Sequence, residues 1–305
     1  MKKIYLTLIT LLFIISANAQ FGVQKSKIDE IKSLKEKPLK VVFAYEKGEL
    51  AKKGFNEYLK KVINEIWTFS PSVEFISPEI YKTLLKDKKS SDSYAYLEFI
   101  KYNWRMAPGN SFIISVQNDF VVPHYVTIYN DEDTNYSYGD IYFCLKRLHS
   151  DLVSAVSEDR KELKKYRRGL ITSLYKKDIE NKTLLIDENQ IIEEFKKEII
   201  KYYPYDYQLV TKDFIDKVIT EEQANYVVIK KIMQVTRPIT KTSPGTSVSV
   251  ADRHNSQISS TSSHVTYFNS LYDTEKGKVI YLGYPRYNDK KLEETDFKRL
   301  KNAIK

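Results

Sequence analysis

The sequence predicts an α/β protein made of two similar three-layer α/β/α domains. Each is a mixed sheet running β-α-β-α-β, followed by a β-hairpin and a helix. Three observations predict it. Apolar runs of strand length alternate with amphipathic helical stretches, the pattern of helices laid on both faces of a sheet. Two segments resemble each other, His124-Tyr125-Val126-Thr127-Ile128-Tyr129 and His264-Val265-Thr266-Tyr267-Phe268-Asn269. Each is followed by an acidic turn and a second apolar run, Asp140 to Leu145 in one case and Lys278 to Gly283 in the other. The expected boundaries are 38–150 for the first domain, 151–180 for a linking helix and 181–305 for the second domain.

In the first half, residues 20–37 are polar and lysine-rich and read as a mobile lead-in. Leu39 to Tyr45 is a near-continuous apolar run, as expected of a strand covered on both faces. From Leu50 to Trp67 a helix is predicted, because Phe55, Leu59, Val62, Ile63 and Ile66 recur at steps of three and four. Val73 to Ile76 is a short strand, and Ser77-Pro78 has the cap-and-first-turn chemistry of a helix start. The tyrosine-rich stretch 92–106 suits helix or strand and is read as an insertion within 88–109. Ser111 to Gln117 is then the third strand, and 124–129 with 140–147 the hairpin.

In the second half, Thr183 to Asp187 is a strand, and 190–202 a helix with Ile191, Phe195, Ile199 and Ile200 on one face. Tyr207 to Val210 is a strand, Thr211 caps the next helix, and 225–235 is a long strand. The hairpin 264–283 and a terminal helix over 293–304 close the chain. Thr236 to Ser263 is nearly all small and polar, too poor in apolar surface to offset its ordering entropy, and is expected to form a flexible loop.

The first residues read as a secretory leader. Lys2 and Lys3 precede an apolar run from Ile4 to Ile15, and Ala17-Asn18-Ala19 fits the small-x-small cleavage rule before Gln20. That run is about a dozen residues, short of the roughly 20 needed to span a bilayer. No later stretch is long and apolar enough to span, so an exported protein without a membrane anchor is expected, periplasmic, outer-membrane associated or secreted. The formal net charge is +9, falling by two with the leader. The positive charge lies mainly in Lys-Lys pairs along predicted helices, which speaks against a nucleic-acid face and leaves weak attraction to anionic surfaces. A single cysteine, Cys144, rules out an intramolecular disulfide and reads as a core thiol.

Candidate chemistry is sparse. Asp131, Asp133, Asn135 and Ser137 have the spacing of oxygen ligands. A calcium loop of the EF-hand type needs Gly at its sixth position and Glu at its twelfth, where this chain has Tyr136 and Tyr142. The histidines His124, His149, His254 and His264 show no helical zinc spacing, and His124 and His264 are read as equivalent structural positions. His149-Ser150-Asp151 has triad residue types without triad geometry. No GxSxG, GxxxxGK[ST] or GxGxxG occurs, so neither a catalytic residue nor a cofactor or metal is assigned. The remaining feature is 24 tyrosines. Tyr94, Tyr96, Tyr102 and Trp104 are the candidate interaction surface, because aromatic rings in an insertion suit stacking or anchoring.

The ending Ser16-Ala17-Asn18-Ala19-Gln20, the Lys/Ile/Tyr/Asn-rich composition and the Tyr202-Tyr203-Pro204-Tyr205-Asp206-Tyr207 segment resemble exported proteins of Bacteroidota with repeated α/β units. The β-α-β-α-β order also resembles the amino-terminal domain of TolB and the CsgG-like and LpoB-like periplasmic modules. What this resemblance implies is a non-catalytic domain that docks envelope proteins, and it transfers no individual residue. The expected function is therefore a non-enzymatic envelope protein acting as a binding or assembly module. A secreted hydrolase with dispersed site residues and a glycan- or surface-binding protein are the alternatives.

Overall fold

The computed structural model describes residues 28–43, 54–87, 93–103, 110–118, 121–128, 137–157, 174–235, 265–284, 286 and 291–305. The leader, residues 129–136 and the 236–263 segment lie outside them. The first half contains helix α1 (Ile28–Lys35), strand β1 (Leu39–Val42), helix α2 (Phe55–Ile66), strand β2 (Val73–Ile76) and helix α3 (Pro78–Lys86). Strands β3 (Ala95–Asn103), β4 (Asn110–Asn118) and β5 (Val121–Ile128) and helix α4 (Tyr138–Ser157) follow. The second half contains β6 (Thr183–Asp187), β7 (Tyr207–Val210), helix α5 (Lys212–Thr220), β8 (Tyr226–Val235), β9 (Val265–Asp273), β10 (Lys278–Leu282) and helix α6 (Glu294–Ala303).

These strands form two five-stranded mixed sheets, ordered β2-β1-β3-β4-β5 and β7-β6-β8-β9-β10. In each, the first strand lies parallel between the second and third, and the last two continue antiparallel. The two sheets thus share one strand order and one set of senses, and each half has the predicted sequence of strands, hairpin and closing helix.

The residues filling that pattern in the first half differ from expectation. The tyrosine-rich stretch is no insertion: it is β3, inside the sheet between β1 and β4. Its neighbour 110–118 becomes the first hairpin strand, and 121–128 the second. Asp140 to Arg147, expected as a strand, is helical and opens α4. His124 therefore sits in the fifth strand of its sheet, whereas the described part of the matching segment, from Val265, forms the fourth strand of the other, so the two segments do not occupy equivalent strands. The misreading has a physical source. Helix α4 buries Ile141, Tyr142, Phe143, Cys144, Leu145, Leu148, Leu152 and Ala155, which leaves it without the polar face that reveals an amphipathic helix.

Two further elements depart from the reading. Within the lead-in, α1 buries Ile28, Ile31 and Leu34, spaced three apart on one face. The expected helix over 190–202 is instead two 3-10 turns, Glu193–Phe195 and Ile199–Lys201. Here Gln190 and Ile192 spend their backbone groups on Leu292: its N–H donates to Gln190 and its carbonyl accepts from Ile192. This bridge holds the chain extended through Ile192, so turning begins only at Glu193.

Helix α4 is the layer the two sheets share. One continuous core joins Leu39, Val41, Leu97 and Val126 of the first sheet, the buried side of α4, and Leu185, Val228, Ile232, Phe268 and Tyr272 of the second. A second core lies on the opposite face of sheet two, where Leu184, Ile186, Val227, Leu271 and Tyr281 meet Phe195, Ile199 and α6. A small third cluster, Val42, Ile76, Tyr81 and Tyr96, fills the space under α3. Among the described residues, no helix is long and apolar enough to cross a membrane.

Candidate functional site

In an open α/β sheet, ligands collect at the carboxyl ends of the parallel strands, where successive connections leave on opposite faces. Sheet two has such a point. The β6–β7 connection covers the α6 side, and the β7–β8 connection, which contains α5, covers the α4 side. At this edge a crevice of about 70 Å³ is lined by Asp140, Asp187, Lys212, Lys230, Lys231 and Asn269, among others.

Local sequence explains each position. Asp187 ends β6, and its Oδ1 accepts from the Asn189 amide at 2.9 Å, turning the chain. Parallel pairing of Leu185 with Val228 places Lys230 level with Asp187, the last residue of β6, and Lys231 one residue beyond it. Alternation along β8 then sends the two lysines to opposite faces. Lys231 Nζ donates to Gln190 Oε1 at 3.0 Å, while Lys230 Nζ donates to Asp140 Oδ1 on the α4 side. Thr211 caps α5, which puts Lys212 at its first position, 3.1 Å from Asp140 Oδ2.

Asp140 belongs to the other half. Ser137 and Asp140 form a reciprocal cap on α4: the Asp140 amide donates to Ser137 Oγ at 3.2 Å, and the Ser137 amide donates to Asp140 Oδ2 at 3.1 Å. Beside it, Gly139 lies so close to α5 that a Cβ would stand 2.2 Å from Asp216 Oδ1 and 2.7 Å from the Asp216 Cα. That Asp216 oxygen is buried without a hydrogen-bond partner among the described residues.

Burial alone would raise the Asp140 pKa. Lys230 and Lys212 outweigh it and hold the carboxyl well below the usual carboxylate range. Burial likewise works against the Lys230 charge, but Asp140 and Asp216 raise its pKa above the ordinary lysine value. Asp216 moves the other way: burial, reinforced by Asp140, raises its pKa. Asp140 and Lys230 are therefore fixed charges at neutral pH. A group that transfers protons in catalysis needs a pKa near the working pH, and this pair is tuned away from it.

The residues singled out from sequence lie elsewhere. Tyr96 is fully buried, with its ring 5.0 Å from Tyr81, and so cannot belong to an exposed surface; central placement of β3 in the sheet is the reason. Tyr94 is half-buried beneath Lys40 Nζ, and its ring meets Tyr96 at 71°, not coplanar. Tyr102 lies in β3 opposite Ser111, and Trp104 is outside the described residues. Cys144 is a buried thiol of α4, pushed up to about 12 by burial. His124 lies in β5 opposite Val116; His254, His264 and the ligand-spaced Asp131, Asp133 and Asn135 are outside the described residues.

Asp140, Lys212 and Lys230 carried no weight in the sequence reading. The signal for Asp140 was present: Ser137-x-x-Asp140 ahead of an apolar run is a capping signature. Nothing local marks the two lysines, whose partner is about 70 to 90 positions away. Among the described residues no group of acidic, histidine or cysteine side chains is arranged to hold a metal ion. No family model, curated protein or solved structure matches the chain.

Proposed function

We propose that the protein is an exported, non-enzymatic envelope protein acting as a protein-binding or assembly module. The observation that carries this reading is the state of the strand-end crevice. Its central carboxylate and lysine are locked into each other as charges at neutral pH, tying α4 of the first half to β8 of the second. The crevice serves to join the two halves. The leader-like first residues and the resemblance in strand order to TolB amino-terminal, CsgG-like and LpoB-like modules support the same reading. The net positive charge, +9 less the two leader lysines, adds a weak, salt-screened attraction to anionic surfaces.

A secreted hydrolase is the second reading, favoured by two carboxylates, Asp140 and Asp187, at the strand ends. One experiment separates them. Protein comprising residues 20–305 is immobilised and exposed to detergent-solubilised envelope, and the same protein is assayed on ester, peptide and glycoside panels. Stoichiometric retention of one envelope protein that rebinds when purified supports the module. Turnover that is abolished by Asp140→Asn or Asp187→Asn overturns it.

A further inference from the structure

The position where an α/β sheet ordinarily receives a ligand is filled here by a side chain from the other half of the same molecule. Asp140 reaches from the first turn of α4 into the edge of sheet two and presents one oxygen to Lys230 and the other to Lys212. Both lysines belong to the second half, one on β8 and one on α5. Lys230 is almost enclosed, 12% exposed, whereas Lys212 is 39% exposed and opens the crevice to solvent. The space beside the carboxylate is not filled by it.

From this geometry we propose that Asp140 is a tethered occupant of an oxyanion site in the second half, and that a free anion of phosphate size competes with it and loosens the α4–α5 seam. Phosphate offers several acceptor oxygens and so can satisfy both lysines at once. It cannot simply join Asp140. Asp216, on α5, already contributes a second carboxyl against the base of α4, and Asp187 stands at the end of β6. A further anion beside two or three carboxylates would lack compensating charge, so entry requires that Asp140 withdraw. Two ammonium groups converging on one carboxylate suit a small free oxyanion. Withdrawal of Asp140 removes both ion pairs it makes with the second half, so occupancy and seam opening are linked. This inference concerns the crevice alone and holds or fails whether or not a partner protein is captured.

The test uses inorganic phosphate against chloride at matched ionic strength, with the whole mature protein, by calorimetric titration and thermal unfolding. Asp140→Asn removes the competing charge, so it is expected to bind phosphate at least tenfold more tightly than wild type and to melt higher in phosphate than in chloride. Adding Lys230→Met to that variant is expected to abolish the difference. If Asp140→Asn folds and responds to phosphate no more than wild type does, the proposal is overturned. Should Asp140→Asn fail to fold in chloride, recovery in phosphate supports the proposal. If it folds in neither, Ser137→Ala decides: it removes the hydroxyl that braces Asp140 but leaves both lysines and the carboxylate in place. Tighter phosphate binding by Ser137→Ala than by wild type supports competition, and equal binding overturns it.

Discussion

The Thr68 amide donates to His149 Nε2 at 3.3 Å, and the ring packs against Trp67 at 5.6 Å, so the imidazole must be neutral, with its proton on Nδ1. Burial, aided by Lys146, lowers its pKa from 6.5 to about 4. In the unfolded chain the ring gains its proton at higher pH. The His149 contribution is therefore complete above about pH 6.5 and is lost as pH falls toward 4. After allowing for partial exposure this amounts to about 1–2 kcal/mol. The expected result is a melting temperature several degrees lower at pH 5 than at pH 7, with His149→Gln flattening that slope. Asp140 behaves differently: its depressed pKa keeps the seam charged until pH falls below the usual carboxylate range. Asp216 has the opposite sign, since a raised pKa means ionisation weakens the fold. Asp216→Asn should raise the melting temperature at pH 7, and that advantage should shrink as pH falls toward 4. At Gly139, substitution by Ala drives a Cβ into the α5 backbone and should cost about 1–3 kcal/mol, read by denaturant unfolding.

Among the elements, α4 depends on burial on several sides. Leu145 and Leu148 are both fully enclosed, and truncating either to Ala should cost about 2–5 kcal/mol. By contrast, Thr211→Ala, which removes only the cap of α5, should cost about 1 kcal/mol. The comparison, made by chemical denaturation, separates packing from capping. The same elements show what was legible in the sequence. Helices α2, α3 and α5 could be read because each has one apolar stripe and one solvated face, and Ser77 and Thr211 mark two of their starts. Strands β6, β7 and β8 could be read because each is an apolar run of strand length bounded by polar or turn residues. Helix α4 could not: Asp140 to Leu145, read in isolation, is a short apolar run without a period, and tertiary burial decided its form. Tyr94 and Tyr96 failed for a related reason. Composition shows that a segment is aromatic, and only the pairing of β3 with β1 and β4 shows which rings become core. The crevice escaped because charge pairs between distant segments leave no local pattern.

For the molecule as a whole, the continuous core around α4 couples the halves. An isolated second half would expose Val228, Ile232, Phe268 and Tyr272 together with the buried side of α5. Calorimetry should thus show one cooperative unfolding transition, and the fragment 181–305 produced alone should bind hydrophobic dyes or aggregate. Two resolved transitions, or a well-folded fragment, would contradict that expectation.

The shared helix also imposes an order in time. A chain made from its amino terminus completes α4 while every strand of sheet two is still unmade. Until the segment ahead of β8 has been made, Tyr142 lacks the Glu222 carboxylate that accepts a hydrogen bond from its hydroxyl, and until β9 is complete Phe143 lacks the Tyr272 ring it meets edge-on at 4.9 Å. At roughly 5–20 residues per second, that interval lasts on the order of ten seconds. For that period the first half carries an apolar helix face with nothing to cover it. The nascent protein is then most exposed to chaperones, proteases and its own neighbours, and the risk ends when its second sheet arrives.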